Sequence, residues 1–203
     1  MYRIIFATGN QGKMREIRQI LAGMKIHGED VEILSMKEAG VEADIVEDGE
    51  SFVENAVIKA RAVAQMAPEA IVMSDDSGLE IDYLNGEPGI YSARYLGEDT
   101  PYSVKNSDLL KRLEGVPDDM RTARFVCAIA AVFPDGSVLT ERATVEGRID
   151  YEEKGENGFG YDPIFLIPEF GKTTAELSED EKNKISHRGK ALCAIRISME
   201  AKL

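Results

Sequence analysis

The chain has 203 residues, 43% of them hydrophobic, and a formal charge of -13; one domain over residues 1–203 can bury a proper core. That acidity excludes the broad basic surface needed for nucleic acids or anionic membranes, but a small phosphate ligand needs only a few local cations or a metal ion. Two cysteines give no disulfide framework or zinc spacing, and no stretch reads as a signal peptide or membrane span, so a cytoplasmic protein is expected.

The first apolar run, Tyr2 to Ala7, is rich in β-branched and aromatic residues without polar alternation, as in a strand buried on both faces. It stops at Thr8-Gly9-Asn10-Gln11-Gly12-Lys13, and helical periodicity at Met14, Ile17 and Leu21 follows. A strand turning through glycine into a helix gathers free N–H groups and the positive helix end at one point, to which Lys13 adds a charge. This corner reads as a phosphate cradle, or as an ordinary strand-to-helix turn. It lacks the P-loop spacing.

Val31 to Leu34 is a short second strand, and the acidic stretch from Glu42 to Glu50 is a loop. Ser51 and Glu54 form a capping-box pattern opening a helix with Val53, Ala56, Val57, Ala60, Val63 and Ala64 as its apolar stripe. Phe52, Asn55 and Lys59 lie on a neighbouring line, which reads either as one wall of an anionic pocket or as a solvated face. Ala70 to Met73 is another buried strand, ending at Ser74-Asp75-Asp76-Ser77-Gly78; Leu79, Ile81 and Tyr83 then alternate with polar residues before Asn85-Gly86, a hairpin signal. Adjacent carboxylates at a strand end need cations or donors, and ligands bind at such ends, so a metal role is favoured over an Asp turn.

Thr100-Pro101 reads as a cap and first helical residue, with Leu109, Leu110 and Leu113 inward. Strands over 122–133 and 137–149 flank Pro134-Asp135-Gly136, making a hairpin and a mixed sheet. Glycines at 155, 158 and 160 surround Phe159-Gly160-Tyr161-Asp162-Pro163, where the aromatics form a slot for a base or simply pack. Ser178 and Glu181 form a second capping box. The last helix begins near Ser186, burying Leu192, Ile195 and Met199. Two cations, His187 and Arg188, in its first turn oppose the macrodipole, so an anion or carbonyl oxygen is expected beside them, unless they are a surface Arg and a capping His.

Thr8-Gly9-Asn10 with Lys13 and Glu16, Ser74 to Leu79, Phe159 to Pro163 and Ser186-His187-Arg188 resemble the inosine triphosphate pyrophosphatase family. Glu54-Asn55-Ala56 through Lys59-Ala60 and Gly89 to Tyr95 resemble its bacterial branch, and the resemblance spans residue 3 to about residue 195. It implies an α/β fold with an elongated, long mixed β-sheet flanked by helices, two lobes with a central cleft, and a homodimer. The implied reaction hydrolyses XTP, ITP or dITP to the monophosphate and pyrophosphate with Mg²⁺.

By position in that resemblance, Thr8, Asn10 and Lys13 hold the triphosphate with help from Lys59. Glu47 and Asp76 ligate the metal, Glu47 being exchangeable with Asp48 or Glu50, and Asp76 activates the water. Ser77, Phe159, Gly160, Tyr161, Asp162, Lys182, His187 and Arg188 surround sugar and base. Two other readings compete: a Maf-like pyrophosphatase acting on modified pyrimidine or methylated nucleotides, and a nucleotide sensor without hydrolysis. The base-side motifs disfavour the first, and the intact Asp75-Asp76 pair disfavours the second.

Overall fold

The structure is a computed structural model that describes Tyr2–Leu203. Eight strands hydrogen-bond in the order β2-β3-β1-β4-β5-β6-β7-β8, with helices α1 to α5 between and after them. The strands are β1 (Tyr2–Phe6), β2 (Lys25–Ile26), β3 (Glu29–Ser35), β4 (Ile71–Ile81), β5 (Thr122–Val132), β6 (Val138–Ile149), β7 (Phe165–Ile167) and β8 (Lys172–Thr173). The helices are α1 (Gln11–Ile20), α2 (Phe52–Ala64), α3 (Tyr102–Arg112), α4 (Glu179–Ile185) and α5 (His187–Lys202). β1 pairs in parallel with β3 and β4, whereas β2–β3, β6–β7 and β7–β8 are antiparallel, so the sheet is mixed as expected.

The chain divides into two compact units. The first comprises Met1–Asp76, Cys127–Ala143 and Arg188–Leu203; the second comprises Ser77–Val126 and Thr144–His187. In the first unit Ile4, Phe6, Met73 and Ile129 pack with Met14 and Ile17 of α1 and Leu192, Ile195 and Met199 of α5. Successive strand residues face opposite sides, so Ser74 points the other way, and its hydroxyl donates to the carbonyl of Ala56 on α2. Helices α1 and α5 therefore cover one face and α2 the other. The second unit has its own core, with Leu79, Ile81, Leu109, Leu113, Phe125, Ile149, Tyr161 and Phe165.

Several boundaries differ from expectation, each for a local reason. Helix α1 starts at Gln11 rather than after Lys13, because the Asn10 side chain caps it by accepting the Lys13 N–H at 3.0 Å. Ser51 caps α2 through the Glu54 N–H, but the reciprocal contact runs from the Glu50 N–H to Glu54. The buried face of α2 is turned toward the polar line: Phe52, Asn55 and Lys59 are buried with Ala56, Ala60 and Val63, while Val53, Val57 and Ala64 are half-buried.

Strand β4 does not end at Ser74. It runs on to Ile81, because its charges meet cations and the Leu79 N–H donates to Ser92 Oγ at 2.9 Å. Asn85-Gly86 makes a turn with φ of 55° and 85°, followed by a lone Glu80–Pro88 bridge rather than a second strand; proline offers no N–H to extend a ladder. Thr100 does not cap α3, since its hydroxyl donates to the Leu96 carbonyl at 2.7 Å. Cys193 is exposed, whereas Cys127 is buried.

Candidate functional site

β1 pairs with β4 only as far as Phe6 opposite Met73, after which the chain leaves through Ala7 and Thr8 into α1. Asp75 and Asp76 therefore lie on β4 just past the carboxyl end of β1, so the strand-end argument holds for β1 rather than for β4. The pleat sends the two carboxylates to opposite faces, and each face supplies its own cations.

Asp75, on the α1/α5 face, is 1% exposed. Lys13 of α1 reaches its Oδ2 at 3.0 Å, and the Arg188 Nε of α5 reaches the same oxygen at 3.4 Å. Burial alone would raise this carboxyl, but Lys13, Arg188 and Lys59 hold it well below the usual carboxylate range. The buried Arg188 guanidinium also pairs with Glu16. The anion expected beside Arg188 is thus supplied by the protein itself: the sequence reading set Arg188 beside sugar and base, and the structure sets its guanidinium on Glu16 and Asp75.

Asp76, on the α2 face, accepts from Asn55 Nδ2 at 3.2 Å and from Lys59 Nζ at 3.5 Å. Lys59 also binds Glu47 at 2.8 Å. Burial raises the Asp76 carboxyl, Lys59 opposes that shift, and the neighbouring charge of Glu47 adds to it. Of the three acidic candidates in the loop, Glu47 is the one that reaches this cluster; Asp48 and Glu50 are exposed. Gly49 makes the close approach possible. Its N–H donates to Asn55 Oδ1 at 2.9 Å, and a Cβ there would fall 2.7 Å from that oxygen.

Two carboxylates held around one cation form a hard-oxygen donor set of the kind Mg²⁺ uses when substrate phosphates complete its shell. Among the described residues no group of three or more His, Cys, Asp or Glu side chains forms a metal cage. In the corner itself the Thr8 hydroxyl accepts the Asn10 N–H at 3.2 Å. Gly9 has no left-handed φ, and a Cβ there would meet nothing within 4 Å.

The second unit gathers most of the other candidates. Asp162 is 3% exposed and organises its loop: Oδ2 accepts from the Phe159 N–H at 2.8 Å and Lys182 Nζ at 2.7 Å, and Oδ1 accepts from Thr174 Oγ1 at 2.8 Å. The Lys182 ammonium lies 4.8 Å from the Phe159 ring centre. Gly158 has φ +73°, and a Cβ there would collide with Asp162 Oδ2 at 2.1 Å. Tyr161 is buried and donates to the Ser92 carbonyl at 2.6 Å, which is the packing alternative left open for the aromatics. Phe159 and Gly160 remain half-buried, as does Ser77 on β4. His187 stacks on Phe125 at 5.0 Å.

Sequence reasoning gave no role to Glu16, Gly49, Ser92, Asn106 or Thr174, all of which hold candidate side chains or their loops in place. A glycine inside an acidic run was a usable signal for Gly49. The partners of the others are distant in sequence, and periodicity does not reveal them. A separate cavity of about 440 Å³, lined by Tyr2, Ile71, Phe133 and Lys202 among others, holds none of the candidate residues.

A family model described as the Ham1 family matches residues 4–197. The dITP/XTP pyrophosphatase of Caldanaerobacter subterraneus subsp. tengcongensis is 50% identical over 196 residues, covering 97% of this chain and 95% of that one. That of Exiguobacterium sibiricum is 50% identical over 190 residues, covering 94% and 93%. Among solved structures, the Ham1 protein of Staphylococcus aureus superposes with a TM-score of 0.86 at 40% identity, covering 99% of this chain and 100% of that one. The nucleoside-triphosphatase/dITP/XTP pyrophosphatase of Mycobacterium abscessus gives 0.74 at 37%, covering 95% and 98%.

Proposed function

The chain belongs to the Ham1 family, and from that membership we propose that it hydrolyses the deaminated purine nucleoside triphosphates XTP, ITP and dITP to the monophosphate and pyrophosphate. The observation that carries this reading is the Asp75-Asp76 pair on β4, each carboxylate with its own lysine at the carboxyl end of β1. Relatives named dITP/XTP pyrophosphatase at about half identity over nearly the whole chain support it. The same reading makes the protein a cytoplasmic homodimer.

In this mechanism Thr8, Gly9, Asn10, Gln11, Gly12 and Lys13 receive the triphosphate. The N–H groups of the first turn of α1 and the Lys13 ammonium neutralise its charge before reaction. The space in front of Gly9, which the fold itself does not require to be glycine, lets a phosphate approach the backbone. Lys59 turns from its carboxylates toward the same anion, and Asn55 holds Asp76 in place.

Water attacks the α-phosphorus, a P–O bond forms, and the bond to the β-phosphate oxygen breaks with its electrons leaving on pyrophosphate. Asp76 takes the proton released by the water. Glu47 and Asp76 would hold Mg²⁺, which when bound supplies Lewis-acid neutralisation of phosphate charge. Phe159, Gly160, Tyr161 and Asp162 with Ser77, Lys182 and His187 attend to sugar and base. A 6-keto purine offers an acceptor where adenine offers a donor, and sites built on such a contact discriminate by about 10⁴–10⁵.

With Mg²⁺ present, ITP, dITP and XTP should yield pyrophosphate and monophosphate in equal amounts, with ATP turned over far more slowly; release of orthophosphate alone, or preference for 5-methyl-UTP, would discard the proposal. Lys13→Ala should raise KM for ITP about ten-fold with a smaller change in kcat. An unchanged KM would remove Lys13 from the tail-binding set.

A further inference from the structure

The inward side of α3 begins with polar residues. Lys105 and Asn106 are 1% and 2% exposed, ahead of the buried Leu109. Lys105 Nζ donates to the Ala93 carbonyl at 2.6 Å and lies 4.9 Å from the centre of the Tyr102 ring. Asn106 Nδ2 donates to Glu153 Oε1 at 2.7 Å and to the Gly160 carbonyl at 3.3 Å, while its Oδ1 is buried without a hydrogen-bond partner.

Both groups facing the Asn106 amide nitrogen are acceptors, so the opposite amide orientation would set oxygen against oxygen. The side chain thus leaves its own acceptor unsatisfied, at a cost in free energy, to keep hold of Glu153 and Gly160. Gly160 has φ +70°, and a Cβ on it would meet the Tyr102 ring at 3.6 Å. Tyr102 packs edge-on against Tyr161 at 5.1 Å, and the Tyr161 hydroxyl is held by Ser92. Asp162, Lys182 and Thr174 grip the loop from within and behind; α3 grips it at Gly160.

We propose that Asn106 is a positioning residue for base selection: it fixes the Gly160 carbonyl, and through it the Phe159–Asp162 loop, in the register that admits a 6-keto purine. This rests on the reading of that loop as base-facing. Asn106 touches no reacting atom in this scheme, so its loss affects which base is accepted rather than the phosphoryl chemistry.

The test uses the full chain carrying Asn106→Asp, which is isosteric but sets oxygen against both acceptors, and Asn106→Ser as the milder variant should the first fail to fold. Three quantities are read: amide hydrogen exchange over residues 159–162, steady-state kinetics with ITP and with ATP, and inhibition by inorganic tripolyphosphate. Expected results are exchange about ten-fold faster in that loop, KM for ITP raised about ten-fold with kcat within about three-fold, and an ITP-to-ATP preference lowered about ten-fold. Tripolyphosphate inhibition should stay within about two-fold, because the tail is held elsewhere. Adding Glu153→Gln to Asn106→Asp returns a donor to the contact and should recover part of the preference.

A folded variant with unchanged loop exchange and unchanged preference overturns the proposal. So does an equal loss with ITP, ATP and tripolyphosphate, which would mark a general structural role. If the unaltered chain does not hydrolyse ITP, the functional reading fails by itself, and the exchange measurement alone decides whether Asn106 holds the loop.

Discussion

Replacing Asp76 by asparagine should lower kcat for ITP about 10³-fold while nucleotide affinity stays within a few-fold, since losing a positioned proton acceptor costs about 10²–10⁴ in rate. The substitution keeps the shape of the side chain but removes its charge and its basicity. Asn55 and Lys59, at 3.2 and 3.5 Å, lose an anionic partner, but Lys59 keeps Glu47 at 2.8 Å. Thr8, Asn10 and Lys13, proposed to receive the triphosphate, are untouched. The check pairs single-turnover pyrophosphate release with equilibrium titration of a non-hydrolysable ITP analogue. Turnover at the unaltered rate would remove Asp76 from the chemistry; binding lost in proportion to turnover would make it a binding residue only.

Arg188→Met should destabilise the protein by about 3–5 kcal/mol, because removing one partner of a buried ion cluster leaves the others as uncompensated charge. Arg188 is 2% exposed and pairs with both Glu16 and Asp75. Lys13, the other cation on Asp75, has a partly exposed side chain. The substitution leaves Asp75 with Lys13 at 3.0 Å and takes the guanidinium away from Glu16. Urea unfolding should show the loss as a lower midpoint, and adding Glu16→Gln should restore part of it, since that second change removes one of the carboxylates that Arg188 neutralises. An unfolding free energy within about 0.5 kcal/mol of the parent would contradict the assigned role. Because the guanidinium faces carboxylates, the substitution should depress ITP and ATP turnover together, whereas His187→Ala should act on ITP selectively.

Much of this arrangement was legible in the sequence where it depended on neighbours along the chain. The apolar run from Tyr2, the Asn10–Lys13 corner, the Ser51 and Ser178 caps and the stripe Leu192, Ile195, Met199 are local patterns, and each appears in the structure. A few local readings failed where a competing contact took the group: Thr100 serves the Leu96 carbonyl, and β4 continues through Asp75-Asp76. Short β7 and β8 carried too little periodicity to be read at all.

The order of residues by itself determined which side chains were chemically notable: two adjacent aspartates, lysines at 13 and 59, the glycine-rich aromatic stretch and the His187-Arg188 pair. Only the tertiary structure decided how they divide. Strand alternation sent Asp75 to α1 and α5 and Asp76 to α2, so each acid met a different cation. It also committed Arg188 to Glu16, across 172 positions of sequence, and Asn106 to Gly160, across 54. The physical reason is that charge compensation acts through space. A buried ion takes whichever partner the packed backbone brings within about 3–4 Å, and spacing along the chain carries no record of that choice.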